Sequence, residues 1–287
     1  MSPVTDKIII GTRGSNLALS QARSIQKLLE IDSEIKIIKT SGDIHENKAI
    51  AHIGGKGVFS TQIEQELLDS KIDLAVHSLK DLPGIMTKGL CIKGVAKRND
   101  PRDALLGKIK KGSKIGTSSP RRTAQLNYIK KDIEILPIRG NIDTRIKKLK
   151  DGQYDAIILA MAGLQMLGLE NEVDKIYDLD EIKPCAGQGI IAIQTRDNND
   201  PLNDLITKIN DIPTFYQAQA ERSLLEAIGG DCHTALGCYT MVSAYHLYLT
   251  SELYVNDKKY TASGSGNVID AKDLGIRVGK ELLAQTD

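Results

Sequence analysis

The chain has 287 residues and a mass of 31.3 kDa, with 38 basic against 37 acidic side chains and a net charge of +1. Apolar residues at 41% and charged residues at 26% exclude wholesale disorder, a collagen-like chain and a disulfide scaffold. At roughly 150 residues per domain the length suggests two or three domains. The longest apolar stretch, residues 156–167, is shorter than the about 20 residues that span a bilayer. The N-terminus offers only the three-residue apolar run 8–10, so a cytoplasmic location is expected.

In chain order, residues 7–10 read as a strand that turns through Gly11-Thr12-Arg13-Gly14-Ser15-Asn16 into an amphipathic helix over 17–30. Its apolar positions Leu17, Ala18, Ala22, Ile25, Leu28 and Leu29 keep near-helical spacing. Residues 35–38 are the next strand, and Thr61-Gln62-Ile63-Glu64 fits a capping box opening a helix to Ser70. A buried strand over 72–76 runs into His77-Ser78-Leu79-Lys80-Asp81. Further strands are predicted at 114–116, 133–136 and 156–159, separated by helical stretches, which implies βαβ units and mainly parallel sheets.

Arg98-Asn99-Asp100-Pro101 reads as a linker between two such α/β domains, and a helix follows Ile212-Pro213 to about Ile228. Residues 241–248 and 252–255 then flank a predicted turn, with Asn256-Asp257 as another turn before Tyr260. With a closing helix over 270–283 these antiparallel hairpins make a small third α+β domain. The expected class is therefore α/β, two domains with mainly parallel sheets plus a small C-terminal α+β domain.

The near-zero total charge hides a segregation. Residues 107–150 hold thirteen Lys or Arg against three acids, a net of +10, and residues 151–211 hold twelve acids against four bases, a net of −8. The lysines are read as a solvated face. Arginines beside Gly, Ser, Pro and Asn at element ends point instead to a polyanionic ligand, because a guanidinium grips a carboxylate or phosphate with two parallel hydrogen bonds.

In open α/β sheets ligands bind beyond the carboxyl ends of the strands. The residues placed there are Arg13 and Ser15; Ser78, Lys80 and Asp81; Thr117, Ser118, Ser119, Arg121 and Arg122; and Arg139 with Asn141. Helix capping explains Ser15 and Ser119 well and explains the arginines poorly. Asp81 is the acid read among those cations: a salt-bridge partner, or a proton-transfer group that stabilises a developing cation.

Cys91, Cys185, Cys232 and Cys238 are scattered without a CxxC pair, so neither a metal site nor a disulfide is expected. Gly54-Gly55-Lys56-Gly57 is not an ATP-binding loop, since Ile50 and Gly57 stand where a Walker motif needs Gly and Ser or Thr.

Taken together, the chain resembles the hydroxymethylbilane synthase (porphobilinogen deaminase) family. The matching strings begin with Gly11-Thr12-Arg13-Gly14-Ser15-Asn16-Leu17-Ala18-Leu19, Gly54-Gly55-Lys56-Gly57-Val58-Phe59 and His77-Ser78-Leu79-Lys80-Asp81-Leu82-Pro83. They continue with Asp100-Pro101-Arg102-Asp103-Ala104, Gly116-Thr117-Ser118-Ser119-Pro120-Arg121-Arg122, Arg139-Gly140-Asn141 and Thr144-Arg145. Residues 154–160, Gly187-Gln188-Gly189 and Gly230-Asp231-Cys232-His233 complete the set.

The resemblance implies two domains arranged like periplasmic binding proteins, 1–97 with a return segment 190–207 and 101–186, and a third over 212–287. It implies a transferase that joins four porphobilinogens head to tail with loss of ammonia and releases linear hydroxymethylbilane by hydrolysis. It also implies a covalent dipyrromethane, one per chain, held by a thioether to Cys232. By the same resemblance Asp81 is catalytic. Lys80, Asp81, Thr117, Ser118, Ser119, Arg121, Arg122, Arg145 and Gly163 bind the cofactor, and Arg13, Ser15, Lys56, Phe59, Ser78, Arg139, Asn141 and Gln188 bind substrate.

The expected partner is a small molecule, porphobilinogen, with no nucleic acid and no membrane, and the chain is expected to act as a monomer. An acetate and a propionate on every pyrrole make the growing chain a polyanion, which accounts for the strand-end arginines. Ala235 where proline is common, acidic Glu172 and Asp174, and Cys185 in place of alanine depart from the family pattern. Three other readings stay open. A noncatalytic anion binder needs neither Asp81 nor a modified Cys232, a nucleic-acid binder would use the +10 segment, and a pyridoxal enzyme would use Lys80.

Overall fold

The computed structural model describes residues 7–40, 60–130, 132–197, 202–231 and 233–286. Among them the strands are, in chain order, β1 (Ile8–Thr12), β2 (Ser33–Ile37), β3 (Leu74–Ser78), β4 (Leu90–Val95), β5 (Asp103–Gly107), β6 (Ser113–Gly116) and β7 (Ile133–Leu136). They continue with β8 (Ala156–Ala160), β9 (Lys175–Ile176), β10 (Ile191–Arg196), β11 (Leu236–Ser243), β12 (His246–Val255) and β13 (Lys258–Asn267). The sheet orders are β2-β1-β3-β10-β4, β7-β6-β8-β5-β9 and β11-β12-β13.

The two five-stranded sheets follow one plan. In the first, β1 pairs in parallel with β2 and β3, while β10 lies antiparallel between β3 and β4. In the second, β6 pairs in parallel with β7 and β8, while β5 lies antiparallel between β8 and β9. Each sheet is therefore mixed, with four of its five strands pointing the same way. The chain divides into two compact units, Met1–Arg98 with Ile190–Phe215 and Asn99–Gly189 with Tyr216–Asp287.

In the first unit, Ser15 caps the helix Asn16–Leu29 by accepting from the Ala18 amide, and Glu30 ends it in a left-handed conformation at φ 52°. The face carrying Ala22, Ile25 and Leu29 is buried, and each large side chain so buried contributes about 1.5–3 kcal/mol. β3 carries its continuous buried run, Leu74 to His77, into the centre of its sheet. The expected capping box does not form. Ser60 occupies the cap of the helix Thr61–Leu68 without a side-chain bond, and the Glu64 carboxylate instead accepts from Thr87 at 2.8 Å and from Gln194 at 2.8 Å.

In the second unit, Ser119 caps the helix Pro120–Ile129, and Pro120 in the first turn needs no amide partner. The three-stranded sheet closes on the helix Ala271–Ala284 around Leu236, Cys238, Leu247, Leu249, Leu274, Val278 and Leu282. Its first hairpin differs from the expected turn between Tyr248 and Glu252. Strand β12 runs unbroken through those residues, and the chain reverses at Ala244, where φ is 52°. The alternation of buried Leu247, Leu249 and Ser251 with exposed His246, Tyr248 and Thr250 holds that strand in register.

Gly107 closes β5 at φ 90°, and a Cβ there would overlap the Asp155 carbonyl and Ala156 Cα. Gly107→Ala is therefore expected to destabilise the protein by at least the roughly 1–3 kcal/mol of an unfavourable backbone conformation. Denaturant unfolding measures this, and a variant within 0.5 kcal/mol of the parent, roughly the spread for an unconstrained surface site, would contradict the close approach.

Candidate active site

The first unit brings Arg13, Ser15, Ser78 and Asp81 to one cleft, whose wall also includes Gln21 and His77. Arg13 and Ser15 follow β1, and Ser15 is fixed by its capping bond to Ala18, 3.3 Å. Ser78 ends β3 and shares its hydroxyl with the Gln21 amide at 2.9 and 3.1 Å. The chain then makes a single 3-10 turn, Leu79–Asp81, anchored by buried Leu79 and by its amide on the Ile190 carbonyl at 2.9 Å. Lys80 is half-buried and Asp81 exposed. Among the described residues the Asp81 carboxylate accepts no hydrogen bond and makes no ion pair, so Lys80 does not neutralise it.

His77 closes the floor of this cleft and is 7% exposed. Its Nε2 lies 3.0 Å from Gln194 Oε1, and since the Gln194 amide donates to Glu64, the ring nitrogen is the donor. Burial pushes its pKa down to about 4, against the Gln194 hydrogen bond and helped by Arg13. His77 is therefore neutral near pH 7 and adds no competing cation. This chain of His77, Gln194 and Glu64 joins residues 117 and 130 positions apart, and no local sequence pattern signals it.

In the second unit the loop after β6 builds its own turn. Thr117 Oγ1 accepts from the Ser119 amide at 3.2 Å, Ser119 Oγ accepts from the Arg122 amide at 3.4 Å, and Ser118 exchanges two hydrogen bonds with the Ile138 backbone at 2.8 and 3.0 Å. Arg121 and Arg122, read as strand-end residues that bind the cofactor, are buried. Arg121 donates from Nη1 to the Lys183 carbonyl at 2.7 Å and pairs through Nη2 with Asp103 Oδ2 at 2.9 Å. Arg122 donates from Nη1 to the Ile158 carbonyl at 3.0 Å and from Nη2 to Asp103 Oδ1 at 2.6 Å.

Asp103 is the residue that sequence reasoning missed. It is fully buried at the start of β5, and Gln188 Nε2 also donates to its Oδ1 at 2.8 Å. Burial alone would raise its pKa, but the two guanidinium groups hold the carboxyl far below the usual range. Gln188, expected at substrate, is likewise fully buried, with its amide also donating to the Pro101 carbonyl at 2.7 Å. A lone acid heading the apolar run Ala104-Leu105-Leu106 was the available signal.

Arg139 and Arg145 are half-buried around Gly140, whose φ of 103° lets its carbonyl accept from Arg145 Nε at 2.7 Å. Asn141 is exposed at the cap of the helix Ile142–Lys150, with no side-chain capping bond. Gly163 is buried in the short helix Met161–Met166. The two acidic departures have local partners: Glu172 pairs with Lys150 at 2.6 Å and Asp174 accepts from the Gly107 amide at 2.7 Å. Lys56, Phe59 and Cys232 lie outside the described residues. Beside Cys232, Asp231 accepts from the His233 amide at 2.8 Å and donates its own amide to Thr234 at 2.9 Å.

A dipyrromethane presents carboxylates, and the second unit has donors to match. Nε of Arg121 and Nε of Arg122 are buried with no hydrogen-bond partner among the described residues. Two cations on one carboxylate also leave the Asp103 cluster with a surplus positive charge. The residues present fit an anionic group.

The chain matches the family model of the porphobilinogen deaminase dipyromethane cofactor binding domain over residues 8–204 and that of the porphobilinogen deaminase C-terminal domain over residues 215–284. It is 40% identical to the porphobilinogen deaminase of Syntrophomonas wolfei over 290 residues, covering 96% of this chain and 95% of that protein. It is 39% identical to that of Syntrophobacter fumaroxidans over 295 residues, covering 98% and 96%. A solved structure, the second substrate binding domain of a putative amino acid ABC transporter from Streptococcus pneumoniae, aligns at TM-score 0.43 and 13% identity over 78% of this chain and 95% of that one.

Because the folded pKa of His77 lies below the ordinary 6.5, the unfolded chain binds its proton first. Its contribution to stability is intact above pH 6.5 and falls as pH drops toward 4, by roughly 3 kcal/mol in all at 1.36 kcal/mol per unit. Unfolding free energies measured across that window should lose part of this slope in His77→Gln, and an unchanged slope would contradict a neutral buried imidazole.

Proposed function

Because the chain belongs to the porphobilinogen deaminase family, we propose that Asp81 is its catalytic carboxylate and Cys232 the attachment point of its cofactor. The protein is a transferase that polymerises porphobilinogen, four molecules head to tail with loss of ammonia, and releases linear hydroxymethylbilane in tetrapyrrole biosynthesis. It uses a dipyrromethane cofactor. When bound, that group supplies the pyrrole carbon from which the product is extended.

One observation carries the assignment of Asp81. It ends a 3-10 turn pinned by buried Leu79, it faces a cleft with Arg13, Ser15 and Ser78, and its charge is unneutralised among the described residues. As the aminomethyl C–N bond of porphobilinogen breaks and ammonia leaves, positive charge develops on the substrate. An Asp81 oxygen stabilises that charge and takes the proton released when the new C–C bond forms. A neutral His77 beneath the cleft leaves the carboxylate's charge for this purpose.

In the same reading Arg13, Ser15, Lys56, Phe59 and Ser78 bind porphobilinogen. Lys80, Thr117, Ser118, Ser119, Arg121, Arg122 and Arg145 hold cofactor carboxylates, Gly163 supports that site, and Arg139 with Asn141 serve the growing chain. For Arg13, Ser15, Ser119, Arg121, Arg122 and Asn141 support comes from places at a strand end or helix start, where backbone amides and guanidinium groups favour anions. In this reading the chain works as a monomer.

Asp81→Asn keeps the shape and removes the charge. It should fold and bind porphobilinogen yet lose about 10²–10⁴ in turnover, read by ammonia release and bilane formation, while Asp81→Glu retains measurable activity. Turnover of Asp81→Asn within a few-fold of the parent, with cofactor in place, would make Asp81 structural. Intact mass and peptide mapping should find a two-pyrrole adduct on Cys232, and an adduct on Cys91, Cys185 or Cys238 would refute the attachment. Arg139→Lys and Arg145→Lys should each weaken binding about ten- to a hundredfold, measured as a rise in KM for porphobilinogen. Two variants with the parent's KM would remove these residues from the anion site.

A further inference from the structure

We infer that Asp103 is a positioning residue: with Gln188 it locks Arg121 and Arg122 side by side so that their Nε edges receive a single carboxylate of the cofactor. The inference rests on the reading that these arginines bind the cofactor, and adds how they are held and how much charge they take. Two guanidinium groups sharing one neighbourhood repel each other, and in a medium of low polarity that repulsion is not screened. Asp103 removes it by giving one oxygen to each, Oδ2 to Arg121 at 2.9 Å and Oδ1 to Arg122 at 2.6 Å. Gln188 holds the same Oδ1 from a third direction at 2.8 Å, while its second contact, to the Pro101 carbonyl at 2.7 Å, fixes the amide.

The remaining donors are used selectively. Each arginine spends Nη1 on a backbone carbonyl, Lys183 or Ile158, and Nη2 on Asp103. Each Nε stays buried without a partner among the described residues. An unpaired buried N–H is costly, and two of them in a cluster of net charge +1, beside an Asp103 Oδ2 held by its ion pair alone, favour an anionic group with acceptor atoms. The two arginine side chains are 3% and 8% exposed, and each Nε atom is itself buried. A purely structural ion cluster would close its charge and its donors internally. This one does neither.

The test uses full-length protein produced in cells that make no porphobilinogen, so that cofactor loading is followed on adding porphobilinogen. Covalent adduct is read by intact mass, and the thermal midpoint is measured before and after loading. Asp103→Asn should load tenfold or more slowly and show a smaller gain in thermal midpoint on loading, and Asp103→Glu should recover part of both. Gln188→Leu keeps all three charges and should load three- to tenfold slowly, which decides the matter if Asp103→Asn does not fold. Arg121→Leu and Arg122→Leu test the underlying reading. If they fail to load while folded Asp103→Asn and Gln188→Leu load at the parent's rate with the full thermal gain, Asp103 is structural only and the inference is overturned. If both arginine variants load normally, the cofactor reading itself is wrong.

Discussion

The proposed anion site of the second unit depends on the buried contact of one carboxylate with two guanidinium groups. Asp103 opens β5, Arg121 and Arg122 open the helix Pro120–Ile129, and Gln188 comes from the stretch preceding β10. One side chain thus ties together three segments that are distant in sequence. Desolvating these charges is expensive, and removing one partner of such a cluster costs about 3–5 kcal/mol. Arginine's planar fork lets each cation serve a backbone carbonyl and the carboxylate at once in a fixed geometry, which a lysine's point charge does not impose.

The first unit uses an aspartate in the opposite way. Asp81 is exposed at the end of a 3-10 turn and unneutralised among the described residues, while Asp103 is fully buried and doubly paired. Environment alone separates a carboxylate that holds cations in place from the one proposed to meet a cation forming on the substrate. His77 follows the same logic: burial keeps it neutral beneath the cleft, and the Gln194–Glu64 chain fixes which ring nitrogen carries its proton.

Periodicity and turn chemistry made much of this legible. The alternation of strands and helices and the Ser15 and Ser119 caps follow from local pattern, and the observed elements agree with them. The misses share a cause. Thr61-Gln62-Ile63-Glu64 has the composition of a capping box, yet Glu64 is claimed by Thr87 and Gln194, residues that no local window contains. Asp103, the partner of Arg121 and Arg122, lies at the head of an apolar run and is reached only through sheet pairing. The turn assigned near residue 250 failed because Thr250 and Ser251 resemble turn residues, whereas register with β11 and β13 keeps them in strand.

The most direct measurement is of the two arginine Nε–H groups themselves, by proton–nitrogen NMR on the full chain before and after loading with porphobilinogen. Both resonances should move on loading and their exchange with solvent should slow, because a carboxylate then occupies the donors that have no acceptor among the described residues. Arg121 and Arg122 resonances that stay in place through complete covalent loading would contradict a carboxylate seated on the Asp103 cluster.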